Sequence, residues 1–181
     1  MKITKNGMKL TTPYSNYKFY EAEKAKITGK ASITADKNGK YSSGGAYVGY
    51  VGGGSDNAVV FENINVDKSG EYKLRIYYIS GERRNLSVDV NGKNAASLTG
   101  LYANRNDWSG IAAADTTIRL NAGNNTIKLY NNSAYGPSID RIAIAIPCED
   151  VKGDVNADGN FNIADLVMMQ KYLLRKGALV N

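Results

Sequence analysis

AVVFENINVDKSGEYKLRIYYI, residues 58–79, consists of two runs of alternating apolar and polar side chains separated by Asp67, Lys68, Ser69 and Gly70. Successive side chains of a strand point to opposite faces, so this alternation on both sides of a polar turn predicts an antiparallel hairpin with one dry face. Similar runs recur outward in both directions. Strands are expected over 19–24, 46–51, 58–66, 71–79, 86–90, 116–120, 125–130 and 139–146. Short strands rich in Val, Ile and Tyr between Gly/Asn/Asp/Ser turns predict a mainly β fold, an antiparallel sandwich. Ser69 with Gly70, Asn91 with Gly92, and Ala122 to Asn124 stand where hairpins need positive backbone dihedrals. No helical period longer than a turn or two precedes residue 160.

The composition excludes several chemistries. The 181 residues include one cysteine and no histidine, so a Ser/His/Asp triad, a Cys/His dyad and an imidazole-bound metal are all ruled out, and any metal must be held by oxygen. Cys148 has no intrachain partner, so there is no disulfide framework. No apolar run approaches the roughly 20 residues that cross a bilayer, and Met1 to Asn6 lack the apolar centre of a signal peptide. An exported protein would therefore be longer than this chain. The net charge of +6 comes from 23 Lys+Arg spread along the sequence rather than gathered on a basic helix, which argues against nucleic acid and leaves an anionic small ligand open.

Three segments are expected: 1–17, polar and basic, as a linker or cloning remnant with an extra edge strand near 8–10; 18–147 as the sandwich; and 148–181 as a second module. In the last, Asp154, Asn156, Asp158, Asn162 and Asp165 place oxygen side chains at positions 1, 3, 5, 9 and 12 of a loop. Gly159 stands at position 6 and the carbonyl of Asn160 at position 7. This is the calcium loop of an EF-hand. A helix is expected over 165–176, capped by Asn162 and stopped by Gly177, with Leu166, Met169 and Leu173 forming an apolar stripe. The stripe is expected to pack on the sandwich or on a second copy.

No room exists before Asp154 for an entering helix. The stretch GDVNADGNFNIADLVMMQKYLL, with aspartate at position 12, resembles the first repeat of a dockerin, the calcium-dependent plug that attaches enzymes to a cellulosome scaffold through a cohesin. The resemblance implies calcium on Asp154, Asn156, Asp158, Asn160, Asn162 and Asp165, with cohesin specificity read at Ile163 and Ala164. Such domains usually carry two repeats and this chain shows one, so cohesin attachment is implied for the parent protein.

Phe19 to Glu23, Ser43 to Val51, Gly70 to Ile76, Ala122 to Ile127 and Gly136 to Ile142 resemble, in order, carbohydrate-binding module family 35, with part of the pattern shared by family 6. The resemblance implies a non-catalytic jelly roll that binds plant cell-wall sugars. It also implies a structural calcium on Glu21, Glu23 and Asp140. Read alone, Glu21 and Glu23 lie two apart on an expected strand, with α-carbons about 6.6 Å apart. Two such acids share a cation, raise one pKa, form a glycosidase pair, or lie on a solvated face.

Sugar recognition needs an aromatic plane and planar polar groups. Trp108, Tyr135, Asn132, Tyr41 and Arg83, with Arg84 beside it, stand in polar loops and match the family's ligand loops. Asp36 and Asn38 suit either a second, ligand-contacting calcium or an ordinary turn. Arginine beside tyrosine and asparagine suits a carboxylate, so a uronic acid of pectin or xylan is expected, with mannan or galactan as the alternative. The parent is expected to be a secreted cellulosomal enzyme. A small glycosidase or polysaccharide lyase and a protein-binding adhesive sandwich are the rival readings.

Overall fold

The computed structural model describes residues 16–36, 42–103, 108–146, 153, 155–156 and 161–177. The chain divides into two units, Lys18–Ala145 and a second made of Met1–Tyr17 with Ile146–Asn181.

The first unit is built from β1 (Asn16–Glu21), β2 (Lys26–Ile27), β3 (Ser32–Ala35), β4 (Ala46–Gly49), β5 (Val59–Val66), β6 (Gly70–Ile79), β7 (Arg84–Val90), β8 (Lys93–Leu101), β9 (Ile111–Leu120), β10 (Gly123–Tyr130) and β11 (Ser138–Ile146). One sheet runs β3-β4-β11-β6-β9, with β1 also pairing β11; the other runs β2-β5-β10-β7-β8. From β4 onward every connection except β7–β8 carries the chain from one sheet to the other, the jelly-roll habit. Leu74, Ile76, Ile142 and Ile144 of the first sheet and Ile64, Leu86, Ile127 and Leu129 of the second are all buried. Each contributes roughly 1.5–3 kcal/mol by leaving water, so alternation of the kind seen in 58–79, which supplies three of these eight, builds the core.

Asn125, only 1% exposed, ties the turns at one end of the unit. Its amide donates to the carbonyls of Ile64, Asn121 and Gly123, and its oxygen accepts from Asn91 Nδ2 and the Asn121 amide. A buried side chain whose donors and acceptor are all used holds the hairpins in one register.

Three strands were not expected. β2 is two residues long, too short to show a period, and β3 and β8 are largely exposed, so neither alternates in hydropathy. β9 starts five residues before the expected 116 because Ala112, Ala113 and Ala114 carry no pattern. Asn91 (φ 51), Gly92 (φ 77) and Gly123 (φ 89) adopt the positive dihedrals their turns need, whereas Gly70 is simply the first residue of β6.

In the second unit, helix α1 (Ile163–Gly177) begins two residues before the expected start. Asn162 Oδ1 accepts the Ala164 amide at 2.8 Å, the expected cap. Leu166, Met169 and Leu173 of the expected stripe are 50%, 37% and 66% exposed among the described residues.

Candidate functional site

Strand β1 ends at Glu21, and Ala22–Lys24 forms a 3-10 turn anchored by the fully buried Ala22. The two glutamates therefore do not share one strand as expected, yet Glu23 Oε1 and Glu21 Oε2 both lie beside Gly44. Asp140 joins them through a bulge. Ile139 pairs Tyr78 and Arg141 pairs Tyr77, leaving Asp140 as the extra residue of β11. A bulge re-aims a side chain, and here it takes the 1%-exposed Asp140 carboxylate toward Ser43. The Ser43 amide donates to Asp140 Oδ1 at 2.7 Å, and its hydroxyl donates to Glu21 Oε2. Gly44 lies beneath at φ +66, where a β-carbon would overlap Glu23 Oε1.

The charges in this cluster do not balance. Arg141 is held 4.5 Å over the Phe19 ring and 4.7 Å over the Tyr77 ring. Its nitrogens stop 3.9 Å from Glu21 and 3.8 Å from Asp140, too far to hydrogen-bond. Glu23 Oε2 is buried without a partner. Burial pushes Asp140 up to about 6 despite the Ser43 hydrogen bonds, which pull it down. Among the described residues no three acidic side chains close round a single point on their own, so an ion here would also draw on hydroxyl or carbonyl oxygens. An orphaned carboxylate oxygen and an excess of buried negative charge nevertheless fit a hard divalent cation.

At the other end of β4, four connections meet. The Gly53 amide donates to Ala134 O at 2.7 Å, Gly54 to Asn131 O at 3.1 Å, and Gly136 to Val51 O at 2.7 Å. Asn131 Nδ2 donates to Asn85 O at 3.0 Å, and Ala103 N to Ser80 O at 2.9 Å. Four aromatic rings stand exposed on this frame: Tyr50, Tyr135, Trp108 and, the least exposed of them, Tyr102 at 36%. Tyr50 (63% exposed) and Tyr135 (46%) meet edge to face, with centroids 6.1 Å apart and planes at 76°. Tyr50 takes φ +56, a conformation uncommon for a tyrosine and frequent at functional sites. Trp108 (43%) lies against Gly81, where a β-carbon would come within 2.7 Å of the indole nitrogen. The Arg84 guanidinium covers Trp108 at 4.5 Å. A cleft of about 360 Å³ opens between Glu82, Arg83, Arg84, Asn85, Asn131, Ser133, Ala134 and Tyr135, at the small end of ligand sites.

In the second unit Asp165 is fully buried. Its carboxylate accepts the amides of Val155 (2.8 Å), Asn156 (3.1 Å) and Asn162 (2.8 Å) and so closes the loop on itself.

Residues 18–145 match the model for carbohydrate binding module family 35, and residues 152–181 match that for the dockerin type I domain. The chain belongs to carbohydrate-binding module family 35. A family 35 module from Clostridium thermocellum superposes with a TM-score of 0.66 at 36% identity, over 71% of this chain and 98% of that one. An exo-β-1,3-galactanase from Phanerochaete chrysosporium, solved with β-1,3-galactotriose, superposes at 0.62 and 25% identity, over 71% of this chain and 29% of that one. A 1,6-α-glucosyltransferase of Sporosarcina globispora is 33% identical over 132 residues, 70% of this chain; the match covers only 10% of that enzyme.

For a family 35 module the sequence-derived residues fall into three groups. Glu21, Glu23 and Asp140 come together. Trp108, Tyr135 and Arg83 lie at the mouth, while the exposed Asn132 does not line its cleft, a place taken by Asn131 and Ser133. Asn156, Asn162 and Asp165 belong to the dockerin loop. Tyr41, Asn38, Asp154, Asp158 and Asn160 lie outside the described residues, as does Cys148. The Asp36 carboxylate accepts the Ser42 amide at 2.9 Å, which is turn chemistry. It also leaves from the Ala46 end of β4, away from the mouth. It is Arg84 that stacks on Trp108, while Arg83 leans over Tyr102 at 5.7 Å. Tyr50 was missed because it ends an apparent strand; the Gly52–Gly54 run after it was the signal.

Proposed function

We propose that this chain is a non-catalytic, calcium-containing module that binds an oligosaccharide of plant cell-wall polysaccharide at the Trp108–Tyr135 mouth. Both matched families are non-catalytic. The observation that carries the reading is the set of exposed rings Trp108, Tyr135 and Tyr50 on the loops at one end of the unit, with Tyr135 lining the cleft. Exposed rings present apolar planes to the CH faces of sugars, and the exposed Asn85 amide with the Ser133 hydroxyl supplies hydrogen bonds to their hydroxyls. Glu21 and Glu23 are packed against Ser43 and Gly44 rather than flanking a groove, which speaks against a glycosidase pair.

Glu21, Glu23 and Asp140 would hold one calcium ion, and Asn156, Asn162 and Asp165 with Asp154, Asp158 and Asn160 another. Bound there, calcium supplies positive charge and fixes the loops. We further propose that the dockerin segment attaches the parent, a secreted cellulosomal enzyme, to a cohesin, so that the module raises local enzyme concentration on the wall. The expectation of a uronic acid now rests on Arg83 alone, since Arg84 is already engaged. Calorimetric titration of galactan, mannan, glucan, xylan and pectin oligosaccharides, with and without chelator, tests the reading. Saturable binding abolished by Trp108→Ala supports it; turnover of any sugar, or no binding at millimolar concentration, overturns it.

A further inference from the structure

We propose that the mouth selects a neutral sugar over a uronic acid, and that Glu82 enforces the choice. The proposal rests on the mouth being the glycan site. Arg84 is the better placed of the two arginines there, with its side chain 20% exposed. Its Nε donates to Glu82 Oε1 at 2.9 Å, its Nη2 donates to the same oxygen, and its Nη1 donates to Gly136 O at 2.9 Å. One face of the guanidinium is covered by Trp108. The fork that would clasp a uronate is thus occupied by a carboxylate belonging to the protein.

The same geometry repels one ligand class and serves the other. Both Arg84 bonds fall on Oε1 of Glu82, leaving Oε2 to accept a hydroxyl proton. Glu82 lines the cleft and is 61% exposed, so an incoming ligand meets it directly. A sugar carboxylate would face a like charge and would have to break the Glu82–Arg84 pair before gaining a bond. A neutral hexose meets a charge-assisted acceptor beside the Asn85 amide. Arg83, exposed and leaning over Tyr102, and the 61%-exposed Glu82 are both screened by solvent, so the discrimination comes chiefly from the occupied Arg84 fork.

Ligand pairs differing only at carbon 6 isolate the charge: galactobiose against digalacturonic acid, and methyl glucoside against methyl glucuronide, titrated calorimetrically into the whole chain with calcium. The wild type is expected to bind the better neutral ligand at least tenfold tighter than its uronate. Glu82→Gln removes the charge and is expected to narrow that ratio below threefold. Glu82→Asp keeps the charge on a shorter arm and retains most of the ratio. Unchanged melting temperatures confirm that each variant is folded. Wild-type binding of a uronate as tight as that of its neutral partner, or a ratio that Glu82→Gln leaves in place, overturns the proposal. Binding of neither class, or binding indifferent to Trp108→Ala, instead overturns the mouth as the glycan site, and the proposal with it.

Discussion

Replacing Gly44 by alanine tests the acid cluster, and the neighbouring Gly45 provides the control. Both have positive φ, +66 and +80, so alanine at either pays about 1–2 kcal/mol of left-handed strain, offset by about 0.4–1 kcal/mol from a less flexible unfolded chain. Gly45 has nothing within 4 Å of a β-carbon, so Gly45→Ala should cost the difference, about 0.5–1 kcal/mol. At Gly44 the new carbon overlaps Glu23 Oε1 and lies 3.7 Å from Glu21 Oε2, so the Glu23 carboxylate must move. With chelator the two variants should melt within a few degrees of each other, because the atom that must give way is the tip of a flexible side chain. With calcium they should separate. Loss of one carboxylate ligand is expected to weaken calcium binding at least tenfold, about 1.4 kcal/mol, or roughly 3–6 °C of the calcium-dependent rise in a unit of this size. Differential scanning calorimetry over a calcium series measures both terms. If Gly44→Ala and Gly45→Ala gain the same stability from calcium, Glu23 is not a ligand and the cluster reading is wrong.

Three further outcomes follow from the same geometry. Gly81→Ala places a carbon 2.7 Å from the Trp108 indole nitrogen and should weaken glycan binding about tenfold while leaving the melting temperature within a few degrees; unaltered affinity would remove Trp108 from the site. In chelator, Asp140 ionises near 6 in the folded chain against 3.8 ordinarily, so the folded state binds more protons between those values and stability falls as pH rises from about 4 to 6, by up to roughly 3 kcal/mol. Calcium needs the ionised form and should abolish that loss, which melting curves at pH 4.5 and 7 would register. Asp165→Ala removes the acceptor of three loop amides and should abolish the calcium-induced rise in helical circular dichroism; a rise of wild-type size would refute its role in closing the loop.

The dockerin loop was legible because its chemistry is local. The proposed ligand positions, Gly159 and the Asn162 cap all lie within about a dozen consecutive residues, so spacing alone brings them out. The sandwich was legible for a related reason: period-two burial in β5, β6 and β10 is written in the sequence wherever one face is dry and the other wet. β3 and β8 escaped because exposed edge strands bury too little for selection of apolar residues at alternate positions.

What residues 58–79 and their repeats determined, then, was a two-sheet core, since hydrophobic burial depends on which side chains alternate and not on distant partners. The sites depended on partners far apart in sequence. That Asp140 is a bulge residue reaching Ser43, 97 positions away, is a matter of register between β6 and β11, which no local pattern encodes. Likewise, arginine near tryptophan and tyrosine reads in sequence as a free cation for an acid. Only the folded loops bring Arg84 onto Trp108 and Glu82 onto Arg84, and a charge already paired recognises different ligands from a free one.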